Sequence, residues 1–203
     1  SLLGIGLVNN WMGKMVFDFG AIEFCEAFAD SIIKQPANTW SNLGFVFVGL
    51  LIGWHGMKNH FSNSPNKFTR SLFYPTFFAT LCVLLGPGSM AMHASAARLG
   101  GFFDVLSMYM LATFMATYAL ERVFNWSWKG FTVLYFSIFI FCMLVHLSPQ
   151  IRIGMFKSII IVFALLIFIS IAIELYFYHF KHFKINPYFG YACLGTFAVS
   201  VFI

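Results

Sequence analysis

Charged residues are scarce in this sequence. Asp, Glu, Lys and Arg together make up 9% of the 203 residues, whereas a soluble domain needs about 25% to cover its surface. Hydrophobic residues make up 60% of the chain and aromatic residues 20%. The shortage of charge excludes a soluble globular domain and predicts an all-α, multi-pass membrane protein.

Cysteine pairs are lacking as well. The four cysteines are widely scattered and form no CxxC motif, so the sequence predicts neither a disulfide framework nor a cysteine metal site. The net charge is +5, but the twelve Lys and Arg residues lie almost entirely between the apolar runs. Anchoring at the membrane interface explains these basic residues better than binding to nucleic acid does. The sequence therefore predicts no nucleic-acid partner.

Long apolar runs are what the sequence has instead. Residues 1–35 are interpreted as an interfacial N-terminal segment with an acidic cluster. A membrane helix needs roughly 20 apolar residues, and six stretches qualify within a single transmembrane domain spanning 1–203: 36–54, 72–92, 102–120, 130–147, 155–178 and 187–203. The last run is still apolar at Ile203, and we expect a further segment beyond it.

One stretch, "LLGPGSMAMHASAARLGGFFD" at residues 84–104, departs from the apolar pattern. Its Gly-Pro-Gly triplet predicts a break in the membrane helix, of the kind that survives where the backbone lines a protein cavity. Ser89 and His93 are four residues apart and would share one helix face. We expect the Gly100-Gly101 pair to turn the chain and Asp104 to lie in the first turn of the next helix, so that these polar groups converge.

Each polar group has a structural and a functional interpretation. A histidine or serine in a membrane helix often only hydrogen-bonds a neighbouring helix. A carboxylate at membrane depth costs roughly 2.5–3.5 kcal/mol on insertion scales and usually serves a function. Imidazole suits zinc, and a carboxylate or hydroxyl can assist the attacking water. Catalytic zinc usually has three protein ligands. His146, at the end of the fourth predicted helix, is the one other histidine expected on the same side of the membrane as His93.

The "SMAMH" motif followed by Asp104 resembles the SxxxH…D signature of the alkaline ceramidases. That family belongs to a superfamily of seven-helix membrane metal hydrolases that includes the progestin and adiponectin receptors. The N-terminal "EFCEAFADSIIKQPANTWSNL" resembles the family's acidic segment and the Asn-Thr-x-Ser-Asn start of its first helix. Outside these motifs the resemblance is one of hydropathy. It implies a seven-helix bundle, of which six helices are present in this sequence.

The resemblance also implies two metal sites. His93 would be a zinc ligand, Ser89 would position the substrate or stabilise the oxyanion, and Asp104 would be the partner of the attacking water. The family's other two zinc ligands form an HxxxH pair on a seventh helix, and this sequence contains no such pair. A calcium site would use the N-terminal acidic segment: Glu23, the Phe24 carbonyl, Glu26, Asp30 and Gln35. A solvated acidic stretch is the alternative.

The predicted function is hydrolysis of the N-acyl bond of a ceramide-like membrane lipid by a zinc-dependent amidase. Two alternatives stay open. One is a receptor-like or signalling member of the same superfamily with a structural metal site. The other is a transporter that uses Asp104, Glu121 and Glu174 as charges within the membrane.

Overall fold

The computed structural model describes residues 26–59, 64, 66–149, 152–153 and 156–180, and it is a bundle of helices. Residues 1–25 of the predicted interfacial segment and the predicted helix at 187–203 lie outside this part of the chain. The described elements, in chain order, are α1 (Pro36–Ser41), α2 (Leu43–Lys58), α3 (Lys67–Arg70), α4 (Phe73–Ser95), α5 (Arg98–Phe124), α6 (Trp128–Leu147), β1 (Arg152–Ile153), β2 (Phe156–Lys157) and α7 (Ser158–Phe180).

Four of the described helices, α4 to α7, are long and apolar enough to cross a membrane. Each corresponds to a predicted span, with ends that differ by a few residues. The first predicted span, 36–54, is instead divided at Asn42 into the short α1 and the 16-residue α2. Between α6 and α7, β1 pairs with β2 in a two-residue antiparallel ladder. β1 lies between the predicted spans, whereas β2 lies within the predicted span 155–178, and the helix begins only at Ser158.

Helices α4 and α5 form the centre of the bundle. Helix α2 packs on α4, while α6 and α7 pack on α5. The face of α2 toward α4 carries glycines, and a Cβ added at Gly49 would lie 2.7 Å from Val83 Cγ2. An aromatic cluster near the start of α4 joins α4, α5 and α6 through Tyr74, Phe114 and Phe131. Many large apolar side chains on α2, α6 and α7 are exposed, as expected for surfaces that face lipid.

The predicted break at the Gly-Pro-Gly triplet is wrong. Helix α4 continues through Pro87, whose side chain is exposed. The glycines serve close packing on both sides of the proline. A Cβ at Gly86 would lie 2.9 Å from the Asn42 carbonyl oxygen, and one at Gly88 would lie 2.9 Å from the Phe103 carbonyl oxygen. Because glycine has no Cβ, both neighbouring helices can approach α4 at this level.

The predicted turn at Gly100-Gly101 is also wrong. The chain turns at Ala96, which has a left-handed conformation with φ of 49°. Helix α5 already begins at Arg98, so both glycines lie within its first turn and Asp104 lies in its second. Gly100 again serves close packing, since an added Cβ would be 2.5 Å from the Ala91 carbonyl oxygen. The short turn keeps the end of α4 and the start of α5 in contact.

Candidate functional site

Three of the predicted site residues come together where α4 ends and α5 begins. Ser89 and His93 lie one turn apart on α4, and Asp104 lies on α5. The Ser89 side chain lies beside the Asp104 carboxyl group. The His93 imidazole lies within electrostatic range of the Asp104 and Glu26 carboxylates. Ser89 is buried, whereas His93 and Asp104 are half-buried. The convergence of Ser89, His93 and Asp104 predicted from spacing is therefore present.

The segment 26–35, which precedes α1, is fixed to this end of α4 through its backbone. The Lys34 N–H donates to the Ala94 carbonyl oxygen at 3.0 Å, and the Gln35 N–H donates to the His93 carbonyl oxygen at 3.0 Å. The last carbonyl groups of a helix have no partner within that helix. Here the segment supplies two of the missing donors. It therefore lies directly against the residue predicted to bind zinc.

Gln35 connects the segment to the His93 side chain. Gln35 is buried, with 2% of its surface exposed. Its Nε2 donates to the Glu26 carbonyl oxygen at 2.7 Å, and this bond fixes the orientation of the amide. Its Oε1 then faces His93 Nδ1 at 2.7 Å. Because an amide oxygen only accepts, Nδ1 must carry the proton, and the neutral imidazole presents its lone pair at Nε2.

The predicted calcium ligands are divided between described and undescribed residues. Glu23 and Phe24 lie outside the described residues. The Glu26 carboxylate accepts hydrogen bonds from the Ala37 and Asn38 N–H groups, at 2.8 and 2.7 Å, at the start of α1. Asp30 is exposed. Gln35 uses its amide oxygen for His93, so the structure gives it a role that the sequence analysis missed. The calcium site stays a prediction.

The donor chemistry at His93 is suitable for a metal ion. A metal-ligating histidine usually donates its other ring N–H to an oxygen acceptor, which fixes the tautomer. The Gln35 amide oxygen provides that acceptor. Within the described ranges, however, no three His, Cys, Asp or Glu side chains are grouped so that they could hold a metal ion. His93 is thus suited to be one ligand of a site that needs further ligands.

His146, the other histidine predicted on this side, lies in the last turn of α6. Its ring packs against Phe102 of α5, with ring centroids 5.5 Å apart. Phe102 is two residues from Asp104, so His146 is at the same end of the bundle as the three converging residues. His146 belongs to no motif in the sequence, and its proximity to the site is evident only in the structure.

The remaining acids of the membrane region lie at the opposite end of the bundle. Glu121 pairs with Lys67 at 2.5 Å, and Glu174 pairs with Arg122. Glu121 lies 17 residues along α5 from Asp104, which corresponds to about 25 Å of helix. Glu121 and Glu174 are therefore engaged in ion pairs and separated from Asp104 by most of the bundle. This arrangement gives no support to a relay of charges between them.

The fold defines the molecule as a multi-pass helical membrane protein with a polar site at one end of an apolar bundle. Comparisons of the chain with protein-family models, with curated proteins and with solved structures find no match.

Proposed function

We propose that the protein is a zinc-dependent amidase that hydrolyses the N-acyl bond of a ceramide-like membrane lipid. The observation that supports it is the convergence of Ser89, His93 and Asp104 from two helices at one end of an apolar bundle. The resemblance of "SMAMH" and Asp104 to the alkaline ceramidase signature supplies the reaction and the substrate class. Amide hydrolysis needs a general base and polar groups that assist it. Here a carboxylate lies beside a serine and a neutral histidine within the membrane region, where a carboxylate usually serves a function.

His93 would bind the metal through Nε2. The Gln35 amide oxygen holds the opposite nitrogen, Nδ1, in its protonated form, so the ring is already oriented for a ligand at Nε2. Zinc, when bound, would act as a Lewis acid that polarises the acyl carbonyl and makes water a better nucleophile. Because catalytic zinc takes three protein ligands, the proposal requires further ligands from residues outside the described ranges.

Asp104 would act as the general base and Ser89 as the oxyanion donor. In the resting site, the Ser89 hydroxyl lies beside the Asp104 carboxylate, to which it would donate a hydrogen bond. When Asp104 accepts the proton from the attacking water, its carboxyl group becomes a weaker acceptor. The Ser89 hydroxyl can then donate to the oxygen of the tetrahedral intermediate, where negative charge develops. As the C–N bond breaks, Asp104 would return its proton to the leaving amine nitrogen.

The position of the site suits a lipid amide. The three residues lie near the ends of two membrane helices, at the depth where a lipid's polar linkage meets its acyl chains. The surrounding helices expose apolar side chains to lipid, including Phe103 of α5. A substrate could therefore place its amide at Asp104 while its acyl chain remains in apolar surroundings.

The test is hydrolysis of a fluorescent N-acyl sphingoid lipid by the purified protein in lipid nanodiscs, with zinc measured by elemental analysis. Asp104→Asn should lower turnover by roughly 10²–10⁴-fold and retain zinc, because the general base is lost while the histidine ligand stays. His93→Ala should lose most of the zinc, since a methyl group cannot replace a ligating imidazole.

Glu174→Gln is the matched control, because it neutralises an acid at the opposite end of the bundle. It should leave both zinc content and turnover unchanged. Zinc binding without hydrolysis in the parent protein would favour the receptor-like alternative. Equal turnover in the Asp104→Asn variant and the parent would remove Asp104 from the mechanism.

A further inference from the structure

A polar cleft lies at the opposite end of the bundle from His93. It has a volume of about 360 Å³ and is bounded by α3, the start of α4 and the turn between α5 and α6. We call it the Glu121 cleft, and the lining residues used below are Lys67, Arg70, Glu121, Trp126 and Trp128. Its volume is within the about 300–1,000 Å³ range of sites for small molecules.

The cleft has an excess of positive charge. Glu121 is fully buried, and its Oε1 accepts from Lys67 Nζ at 2.5 Å and from the Tyr74 hydroxyl at 3.4 Å. This ion pair neutralises Lys67. Arg70 is exposed and forms no ion pair with any described residue. The cleft therefore carries one uncompensated positive charge, on a guanidinium group whose fork of donors suits a phosphate.

Glu121, one of the residues that line the cleft, has an unused acceptor. Glu121 Oε2 is buried and has no hydrogen-bond partner among the described residues. A buried carboxylate oxygen without a donor costs free energy, and native proteins seldom leave one so. A hydroxyl-bearing ligand in the cleft would supply the missing donor. Lys67, which also lines the cleft, donates only to the other carboxylate oxygen, Oε1.

The mouth of the cleft lies where lipid headgroups are found. Trp126 and Trp128 flank it with exposed fractions of 40% and 55%, and exposed tryptophans at helix ends mark the boundary between membrane and water. Both helices that adjoin the mouth, α5 and α6, are long and apolar enough to cross a membrane. A ligand at this depth would reach the cleft from the bilayer surface.

We propose that the Glu121 cleft binds the phosphodiester headgroup of a membrane lipid that carries one net negative charge and free hydroxyl groups. The phosphate would accept hydrogen bonds from Arg70, and a headgroup hydroxyl would donate to Glu121 Oε2. A singly charged headgroup balances the single excess charge of the cleft. A zwitterionic choline headgroup does not, and its nitrogen has no hydrogen to donate.

The test measures lipid retention by native mass spectrometry, with the purified protein released from phosphatidylcholine nanodiscs that contain phosphatidylglycerol. The parent protein should retain phosphatidylglycerol at least about ten-fold better than phosphatidylcholine. Arg70→Gln should remove that preference, because a charge-assisted phosphate contact is worth about ten-fold or more. Arg70 is exposed, so this variant keeps the buried ion pair and should fold.

Lys129→Gln is the matched control. Lys129 is a basic residue next to Trp128 at the same end of the bundle, but it does not line the cleft. It should retain the preference for phosphatidylglycerol. Equal losses in the two variants would overturn the proposal, because they would indicate attraction by surface charge alone.

A second comparison tests the hydroxyl group and the source of the phosphate. Phosphatidylmethanol has the same charge as phosphatidylglycerol without the hydroxyls, and it should be retained several-fold less well. Equal retention of the two lipids would overturn the role of Glu121 Oε2. Soluble glycerol phosphate should not compete at millimolar concentration, and full competition would assign the cleft to a soluble phosphate instead of a lipid.

Discussion

Gln35 decides the chemical state of His93. Because its amide is held by the Glu26 carbonyl oxygen, only its oxygen can face the imidazole. A rotated amide would place Nε2 against Nδ1 and favour the other tautomer. A buried glutamine in this position therefore does more than fill space: it determines which nitrogen of His93 can bind a metal.

Gln35→Leu is expected to weaken both stability and metal binding. It removes the acceptor for His93 Nδ1 and the donor to Glu26, which should cost about 1–3 kcal/mol of unfolding free energy. Loss of the partner of a ligating histidine should lower zinc affinity by roughly 10–100-fold. Thermal unfolding and zinc titration measure the two effects.

Gln35→Glu tests the acceptor oxygen separately from the donor nitrogen, because it keeps the first and removes the second. A carboxylate still accepts from Nδ1, so this variant should retain zinc affinity within a few-fold of the parent. Ser41→Ala, at an exposed position of the short helix that follows Gln35, should change neither property. Zinc affinity that is the same in the leucine variant and the parent would disprove the role of Gln35.

At the scale of the helices, glycines set how closely α4 approaches its neighbours. Gly86 faces α2 and Gly88 faces α5, and each has a backbone carbonyl oxygen where a Cβ would lie. Without a strong hydrophobic driving force in lipid, such close contacts are a principal source of helix association. The contact at Gly88 also fixes the distance between the helices that carry Ser89 and Asp104.

Gly88→Ala should therefore destabilise the bundle by about 1–3 kcal/mol, the usual cost of overpacking. The added methyl group would lie 2.6 Å from Ser107 Oγ and 2.9 Å from the Phe103 carbonyl oxygen. Gly44→Ala is the control, since nothing lies within 4 Å of its added Cβ. It should be neutral or slightly stabilising, because alanine favours helix more than glycine does. Unfolding in a denaturing detergent compares the two, and equal stabilities would contradict the packing role of Gly88.

The start of α1 provides a separate test of the calcium prediction. Glu26 accepts from two N–H groups there, so Glu26→Gln should lower stability by about 0.5–1 kcal/mol without any metal, through loss of a charged cap. If calcium binds as the resemblance implies, it should also raise the melting temperature of chelator-treated parent protein, and this increment should be absent in the variant. A parent melting temperature that is unaffected by millimolar calcium would leave Glu26 with the capping role alone.

Hydropathy predicted the four described helices that could cross a membrane, α4 to α7, because length and apolar composition are local properties of the chain. The same kind of evidence fails at Gly86–Gly88, where it predicts a break in the helix. Their purpose depends on Asn42 and Phe103, which are distant in sequence. The spacing of Ser89, His93 and Asp104 predicted their convergence because one turn joins two adjacent helices. The contact between Gln35 and His93 spans 58 residues, and no local pattern encodes it.

At the scale of the whole molecule, ion pairs at one end of the bundle join elements that are far apart in sequence. Lys67 joins α3 to the end of α5, and Arg122 joins α5 to α7. The two pairs differ in burial. The Glu121 side chain is fully buried, whereas the Glu174 side chain is 46% exposed. Removing one partner has very different consequences in these two settings.

Lys67→Met should cost roughly 3–5 kcal/mol of unfolding free energy, because it leaves a buried carboxylate without its cation. Arg122→Met should cost about 0–1 kcal/mol, as is usual for a pair in contact with water. The double variant Lys67→Met/Glu121→Gln should recover much of the loss, since it removes the buried charge as well. Detergent-induced unfolding measures all three, and equal costs for the two single variants would contradict the difference in burial.

The backbone bonds from Lys34 and Gln35 to the end of α4 also have a consequence for biosynthesis. The ribosome makes residues 26–35 before α4 exists, so the segment must wait until Ala94 has been synthesised before it can form these bonds. Asp104 emerges later still. Synthesis of the first helices therefore precedes completion of the site, and the tautomer of His93 is fixed only when the nascent chain folds back on itself. A chain that ends before residue 94 would lack this polar centre.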